Sequence, residues 1–167
     1  MAKIDKQEFE LKITQVDMHQ IITQAVENAR LKVQQRSGTI ESKLEASNSI
    51  IPGDKTHLSN IIHNLFDNAE KYSAEKPTIH IQTKDVVGGI EVKIRDQGIG
   101  MTKESLKHIF NKFFRVHTGN RHDVKGFGLG LSYVKALIDA HHGTVHVTSE
   151  LGKGSTFTLF FPNSSRK

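Results

Sequence analysis

Two runs of alternating apolar and polar residues, separated by a pair of glycines, constrain this fold more than any other sequence feature. The runs cover residues 78–86 and 90–96, and Gly88 and Gly89 lie between them. Alternation with a period of two places the apolar side chains on one face of a β-strand. A short glycine link is typical of a hairpin between antiparallel strands. The sequence therefore predicts an antiparallel pair near the middle of the chain, with one face turned toward a hydrophobic core.

The segments on either side of this pair predict helices and further strands. The helices are expected over residues 18–36, 54–72, 103–110 and 129–141. The remaining strands are expected over residues 8–16, 39–45, 144–149 and 156–161. Strands and helices do not alternate strictly, which favours an α+β arrangement. We predict a two-layer α/β sandwich, with a mixed, mostly antiparallel sheet of about five strands covered on one face by about three helices.

Composition excludes several classes of site. The chain has 167 residues, of which 36% are hydrophobic and 25% charged, and it contains no cysteine. Disulfides, thiolate zinc sites and cysteine nucleophiles are therefore excluded, and a reducing compartment is expected. We expect residues 1–167 to form a single domain with its core over about residues 8–162.

Charge and hydropathy restrict the partners. No run approaches the roughly 18 to 20 apolar residues that a membrane-spanning helix needs, so we expect no membrane contact by this chain. The net charge is +5, but the positive residues are scattered, without an arginine-rich arm. We expect no nucleic-acid binding, and the basic balance favours an anionic ligand such as a nucleotide, or an acidic protein partner.

A carboxylate ends the second central strand. Asp96 lies in phase with the apolar side chains of residues 90–94, because side chains two residues apart share a face. Such a carboxylate is costly to bury unless another group donates to it. Gly98 and Gly100 follow it and let the backbone approach a ligand closely. The pattern fits an acceptor for an amine such as that of adenine, and equally well a cap for the following turn.

Polar residues line one edge of the helix that ends near residue 72. Asn64, Asn68 and Lys71 fall along the edge of its apolar stripe, and Tyr72 lies nearer the centre. Asparagines four residues apart can offer oxygens to a metal or donors to phosphate. Magnesium keeps several waters and takes few protein ligands, so one asparagine suffices. The other interpretation is a solvated polar flank.

Alternate glycines precede the last helix, in the segment KGFGLGL of residues 125–131. Backbone N–H groups and the helix dipole make such a terminus an anion-binding site. It is not a Walker loop, because no Gly-Lys-Ser/Thr follows. The same glycines fit a flexible hinge, and GKGSTF of residues 152–157 is by itself an ordinary hairpin turn.

Taken in order, these segments resemble the sequence boxes of the GHKL ATPase superfamily in its histidine-kinase form. The resemblance covers about residues 8–162. The matching segments are NLFDNAEKYS (64–73) for the asparagine box, DQGIGM (96–101) for the first glycine box, IFNKFFR (109–115) for the phenylalanine box, GFGLGL (126–131) for the second glycine box, and HG (142–143) with GKGSTF (152–157) for the closing segments.

This resemblance implies a Bergerat-type sandwich and the ATP-binding catalytic domain of a two-component sensor histidine kinase. Such an enzyme transfers the γ-phosphate of Mg-ATP to a histidine on a separate dimerisation domain. Asp96 would take the adenine amine with Gly100 alongside, and Lys71 and Tyr72 would line the phosphate and ribose side. The residues placed against the nucleotide are Asn64, Asn68, Lys71, Tyr72, Asp96, Gly98, Ile99, Gly100, Phe113, Lys125, Gly126, Phe127, Gly128, Leu129, Gly130, Leu131 and Thr156.

The resemblance also assigns catalytic roles. Asn68 would hold magnesium, assisted by Asn64, and Arg115 would lie near the γ-phosphate, where it favours developing charge. With Lys71 these residues would form the catalytic set. Residues 101–127 would form a lid over ATP, and we expect this lid to be mobile without nucleotide.

The implied partners are ATP or ADP, the histidine-bearing dimerisation domain of the same kinase, and a response regulator. The implied location is cytoplasmic, as part of a membrane-bound sensor. No stretch like Ser-His-Glu-Leu-Arg occurs, and His63 lies inside the asparagine box. We therefore expect this chain to bind ATP without efficient autophosphorylation. The second glycine box begins with Lys125 where the family has a further glycine, which leaves the anion site intact.

Two other classes of function remain as alternatives. The first is an ATP-hydrolysing GHKL clamp or an anti-sigma serine kinase, and the second is a nucleotide-binding module without catalysis. Hydrolysing relatives place a Glu four residues before the metal-binding Asn to activate water, and this chain has Asn64 there. Asn is a weak base, which favours attack by an incoming nucleophile.

Overall fold

The computed structural model describes residues 10–73, 75–111 and 130–164. The strands are β1 (Thr14–Asp17), β2 (Thr39–Leu44), β3 (Ile50–Gly53), β4 (Thr78–Val86), β5 (Gly89–Asp96), β6 (Thr144–Glu150) and β7 (Gly154–Pro162). The helices are α1 (Met18–Gln35), α2 (Lys55–Lys71), α3 (Lys103–Leu106) and α4 (Gly130–Ala140). None of these helices is long and apolar enough to cross a membrane.

Five strands form one mixed sheet in the order β2-β4-β5-β7-β6. The β2–β4 pair is parallel, and the other three pairs are antiparallel. The central hairpin is present, with Val86 opposite Gly89 and with Gly88 at a φ of 85°. The predicted mixed, mostly antiparallel sheet is therefore confirmed, and the hairpin that anchored the prediction forms its centre.

The helical layer covers one face of this sheet. On β5 the inward row of Ile90, Val92 and Ile94 is at most 1% exposed. Six residues of α2 are buried in the core between the helical layer and the sheet: Leu58, Ile61, Ile62, Leu65, Phe66 and Ala69. The apolar stripe that predicted the helix is thus its buried face, and burial of the stripe against the sheet stabilises both layers.

A second, two-stranded sheet joins β1 to β3 in antiparallel register. The predicted strand over residues 8–16 is shorter than expected, and its part within the described residues begins at Thr14. The sequence analysis missed β3. This strand has only four residues, too few to show alternation, and it includes Pro52, which is normally a strand breaker.

A buried histidine connects the start of α2 to the end of α4. Asp54 is the N-cap of α2 and accepts from the N–H of His57. The N–H of Asp54 donates to His141 Nε2 at 3.0 Å, and His141 Nδ1 lies 2.8 Å from the carbonyl oxygen of Leu137. A carbonyl only accepts, so Nδ1 carries the proton and Nε2 accepts. The network therefore requires the neutral tautomer of His141.

This network predicts acid sensitivity of folding. Burial lowers the pKa of His141 below its ordinary value of 6.5, against the opposing effects of the Leu137 carbonyl and the Asp54 charge; His57 and His142 also lower it. Below this value the unfolded chain binds the proton more readily than the folded chain. The stability contributed by neutral His141 is therefore present above about pH 6.5 and lost on acidification.

The measurement is urea unfolding from about pH 8 to about pH 5 for the parent and His141→Gln. The variant loses stability at neutral pH because its flexible amide fits the network less well. The difference in the free energy of unfolding between the parent and His141→Gln should narrow as the pH falls, because only the parent buries an imidazole that titrates in this range. A constant gap across this range would contradict the account.

Candidate functional site

Asp96 is the buried acceptor that the alternation predicted. It is 7% exposed at the end of the inward row of β5, and the N–H of Gly98 donates to its Oδ1 at 2.9 Å. Burial raises the pKa of the Asp96 carboxyl, while hydrogen bonds from the backbone N–H groups of Gly98 and Ser155 act in the opposite direction. The carboxylate thus caps its own turn, as one of the two interpretations predicted, while its role as an acceptor for an amine of a ligand stays a prediction.

The loop after β5 lies directly against the C-terminal end of α2. The N–H of Ile99 donates to the carbonyl oxygen of Tyr72 at 3.0 Å. A Cβ added at Gly98 would lie 2.4 Å from that same oxygen and 3.0 Å from Asp96 Oδ1. No side chain fits at this position without a backbone shift. The missing Cβ therefore brings Tyr72 and the preceding Lys71 beside the buried carboxylate.

The loop is held on its other side by the turn between β6 and β7. Gly100 has a φ of 71°, and a Cβ there would lie 2.1 Å from the carbonyl oxygen of Glu150. The N–H of Gly152 donates to the carbonyl oxygen of Ile99 at 2.7 Å. Residues 98–100 are therefore clamped between a helix end and a strand turn, which fixes the backbone around Asp96.

The polar edge of α2 meets the first residue of α4. Asn64 Nδ2 donates to the carbonyl oxygen of Asn60 at 2.7 Å, and Asn64 Oδ1 lies 3.4 Å from where a Cβ on Gly130 would be. Asn68 is half-buried, and its side-chain amide has no hydrogen-bond partner within the described ranges. Asn64 therefore lies close to the N-terminus of α4, where an anion is favoured, and Asn68 lies one turn further along α2.

Thr156 lines the same cavity at the end of the sheet as Asp96, but its side chain lies on the other face of the sheet. The strand register pairs Asp96 with Ser155, and Thr156 with Arg95. Because neighbouring side chains on a strand point to opposite faces, Thr156 lies on the sheet face away from the helices. Ser155, 8% exposed, lies on the carboxylate side. The sequence analysis missed Ser155, although its phase with the buried Phe157 could have identified it.

The structure thus groups two sets of predicted residues. Gly98 and Ile99 lie against Tyr72, with Asp96 and Gly100 on either side of them in the chain, and Asn64 lies against Gly130, the residue before Leu131. The predicted residues Phe113, Arg115, Lys125, Gly126, Phe127, Gly128 and Leu129 lie outside the described residues, as does most of the predicted lid over residues 101–127.

Comparison with known proteins agrees with this arrangement. The sequence profile described as histidine kinase-, DNA gyrase B- and HSP90-like ATPase matches residues 53–165, a range that includes Asn68, Asp96 and Gly130. The chain belongs to this ATPase family. The match confirms the resemblance drawn from the order of the boxes, including ATP as the ligand of the family.

Curated relatives of the chain include sensor proteins and sensor-like histidine kinases. The chain is 45% identical to the sensor protein RprX of Bacteroides fragilis over 97% of its own length and 32% of that protein. It is 36% identical to the sensor-like histidine kinase SenX3 of Mycobacterium tuberculosis over 90% of its own length and 36% of that protein. The chain therefore spans about a third of the length of the curated relatives it matches.

A solved structure shares the fold. Full-length ShkA, determined in complex with AMPPNP, matches with a TM-score of 0.78 at 26% identity, over 94% of this chain and 33% of that chain. The likeness confirms the two-layer fold, and it extends over nearly all of the present chain.

The contact at Gly98 gives a direct test of the clamped loop. Gly98→Ala adds a Cβ in the space next to the Tyr72 carbonyl. We expect a loss of about 1 to 3 kcal/mol in the free energy of unfolding, because backbone must move. Nucleotide affinity should fall more than this loss of stability accounts for, since the shift displaces Asp96.

The matched control is Gly88→Ala. Gly88 has a φ of 85° in the hairpin between β4 and β5, and the nearest atom to an added Cβ is Phe160 Cζ at 4.0 Å, so this variant introduces backbone strain without a clash. Its cost should be about 1 kcal/mol, with nucleotide affinity near that of the parent. Equal affinities for Gly98→Ala and the parent, measured by titration calorimetry, would rule out the clamp as a determinant of binding.

Proposed function

We propose that this chain is the catalytic part of a two-component sensor histidine kinase, which binds Mg-ATP and transfers the γ-phosphate to a histidine on a dimerisation domain. The observation that carries the proposal is the side chain at position 64. Its amide Nδ2 is engaged by the carbonyl of Asn60, and its Oδ1 faces the start of α4 at Gly130. An amide in this place is too weak a base to activate water.

The residues around Asp96 fit the adenine ring. The buried carboxylate is an acceptor, which suits the exocyclic amine, and Gly100 lies beside it on the clamped loop. Lys71 is exposed at the end of α2, where its charge suits the phosphates, and the half-buried Tyr72 lies nearer the ribose. Because the backbone packs closely at Gly98, no side chain at that position competes with these groups for the edge of the adenine ring.

The edge of α2 fits the phosphates and magnesium. The unpartnered amide of Asn68 would hold the cation, with Asn64 alongside, and magnesium would neutralise charge on the phosphates. The backbone N–H groups of Gly130 and Leu131 lie at the N-terminus of α4, where its dipole favours an anion. The same proposal gives Gly126, Gly128 and Leu129 to the phosphates, Arg115 to the γ-phosphate, and Phe113, Lys125 and Phe127 to the nucleotide.

The reaction needs little covalent chemistry from the chain. The bond from the γ-phosphorus to the bridging oxygen breaks, a phosphorus–nitrogen bond forms on the incoming imidazole, and ADP leaves. The side chains of Asn68, Lys71 and Arg115 would orient the phosphates and favour the charge that develops. Since Asn64 does not act as a base, water competes poorly with the imidazole.

The remaining partners follow from the same proposal. The phosphoacceptor is carried by a dimerisation domain of the same kinase, and a response regulator receives the phosphoryl group from it. The kinase acts at the cytoplasmic side of a membrane-bound sensor. Residues 1–167 act as one nucleotide-binding domain. The AMPPNP complex of ShkA, which shares this fold, supports the choice of an adenine nucleotide.

Asp96→Asn tests the adenine contact separately from folding. The amide can turn its NH₂ toward the adenine amine, and a hydrogen bond to a charged acceptor contributes about 1.5 to 3 kcal/mol. We expect ADP affinity to fall roughly 10- to 100-fold by titration calorimetry. The melting temperature without ligand should be equal or higher, because burial raises the pKa of this carboxyl and its ionised form costs stability at neutral pH.

The outcome that would make Asp96 merely structural is a large drop in melting temperature with unchanged affinity. Ser73→Ala is not a suitable comparison, because Ser73 is buried and donates to the carbonyl of Glu70. Thr148→Ala is the better control, since Thr148 is exposed on the sheet face away from Asp96. It should change neither quantity.

Phosphotransfer is tested with a purified dimerisation domain that carries a phosphoacceptor histidine, taken from a sensor histidine kinase. The chain is incubated with that domain and labelled ATP, with magnesium or with EDTA. We expect a magnesium-dependent, acid-labile and alkali-stable label on the added domain, as for phosphohistidine. Asn68→Ala should reduce the label strongly and weaken the magnesium-dependent part of ADP affinity.

Three outcomes would contradict the kinase proposal in different ways. Release of inorganic phosphate by the chain alone, at a rate unaffected by the added domain, would indicate a hydrolysing clamp. An acid-stable label would indicate a serine kinase. Tight ADP binding without transfer to the added domain would indicate a binding module without catalysis.

A further inference from the structure

A row of polar side chains crosses the end of the sheet on its helical side. The strand register places Ile79, Asp96, Ser155 and Ser149 side by side on β4, β5, β7 and β6. Directly opposed side chains on neighbouring strands lie about 5 Å apart at Cβ. The buried carboxylate is thus followed by two hydroxyls, and only the first of these adjoins it.

Ser149 connects three backbone segments through one hydroxyl. Its Oγ accepts from the N–H of Met101 at 2.8 Å and donates to the carbonyl oxygen of Gly154 at 2.9 Å. Its Oγ also lies 2.8 Å from Ser155 Oγ. Met101 is the first residue of the predicted lid, so this hydroxyl fixes the point at which the lid would leave the sheet.

These contacts determine which serine donates to the other. The carbonyl of Gly154 can only accept, so it takes the single hydroxyl proton of Ser149. Toward Ser155 the Ser149 oxygen can then only accept. The proton of Ser155 must therefore point to Ser149. Ser155 keeps only lone pairs for any group that lies beside Asp96.

Resting on the proposed function, we propose that Ser149 is a positioning residue for base selection. It directs the Ser155 proton away from the nucleotide, so that Ser155 and the Asp96 carboxylate both present acceptors to the base edge. Two acceptors favour a purine with an amino group at C6 and disfavour one with a carbonyl there. Through Met101, the same hydroxyl joins base selection to the start of residues 101–127.

The test compares ADP with IDP, which carries a carbonyl in place of the adenine amine. Binding of each is measured by titration calorimetry for the parent, Ser149→Ala, Ser149→Thr and Ser149→Val. In Ser149→Ala the Ser155 hydroxyl loses its acceptor and can turn its proton to the IDP carbonyl. We expect ADP affinity to fall about 3- to 10-fold and the preference for ADP over IDP to narrow by about tenfold.

The isosteric pair separates the hydroxyl from packing. Ser149→Thr keeps an acceptor and should retain the parent preference, whereas Ser149→Val should behave as Ser149→Ala. Thr148→Ala removes a hydroxyl from the opposite face of the same strand and should change neither affinity. A merely structural role of Ser149 would weaken ADP and IDP by the same factor.

The other possible results contradict either the role of Ser149 or the proposed function. An unchanged ratio of IDP to ADP dissociation constants in Ser149→Ala and Ser149→Val would overturn the role of Ser149 while leaving the proposed function in place. The role of Ser149 would also be overturned if the ratio of IDP to ADP dissociation constants narrowed as much in Ser149→Thr as in Ser149→Ala. A folded parent that binds no ADP at all would instead overturn the proposed function, and this inference with it.

Discussion

The backbone contact between the C-terminal end of α2 and the loop after β5 is the constraint on which the rest of the site depends. The Ile99 N–H meets the Tyr72 carbonyl, and the absence of a Cβ on Gly98 allows the approach. This contact brings together two groups of polar side chains that lie apart in the sequence. Helix α2 carries the asparagines on its polar edge, and strand β5 carries the buried carboxylate of Asp96. Without this approach the two sets of groups would belong to separate surfaces.

Much of this arrangement could be predicted from periodicity and from the order of motifs. The phase of Asp96 with the apolar residues 90–94 located a buried acceptor, and the stripe of α2 located the two asparagines at its edge. These patterns are local, so a single sequence is enough to show them. The contact between α2 and the loop after β5 is not a local property of the sequence. The resemblance of the ordered boxes to a known family implies this contact, and the match over residues 53–165 confirms the family.

The parts that could not be predicted depend on register and on tertiary contact. Thr156 was placed at the nucleotide from its position in a motif, yet a shift of one residue along β7 reverses the face, and the pairing of Asp96 with Ser155 puts it on the other side. Strand β3, in the two-stranded sheet, has only four residues, which are too few to show the alternation that predicts a strand. The proton direction between Ser149 and Ser155 follows only from a carbonyl contributed by the next turn.

The buried histidine also determines how α4 can move. His141 attaches the C-terminal end of this helix to the start of α2, while Gly130 at the other end faces Asn64. A helix of 11 residues is about 16 Å long. With one end fixed, a displacement of about 1 Å at the free end is a swing of about 4°, not a translation. The hydrogen bonds of His141 therefore favour rotation of α4 about its C-terminal end over a translation of the whole helix.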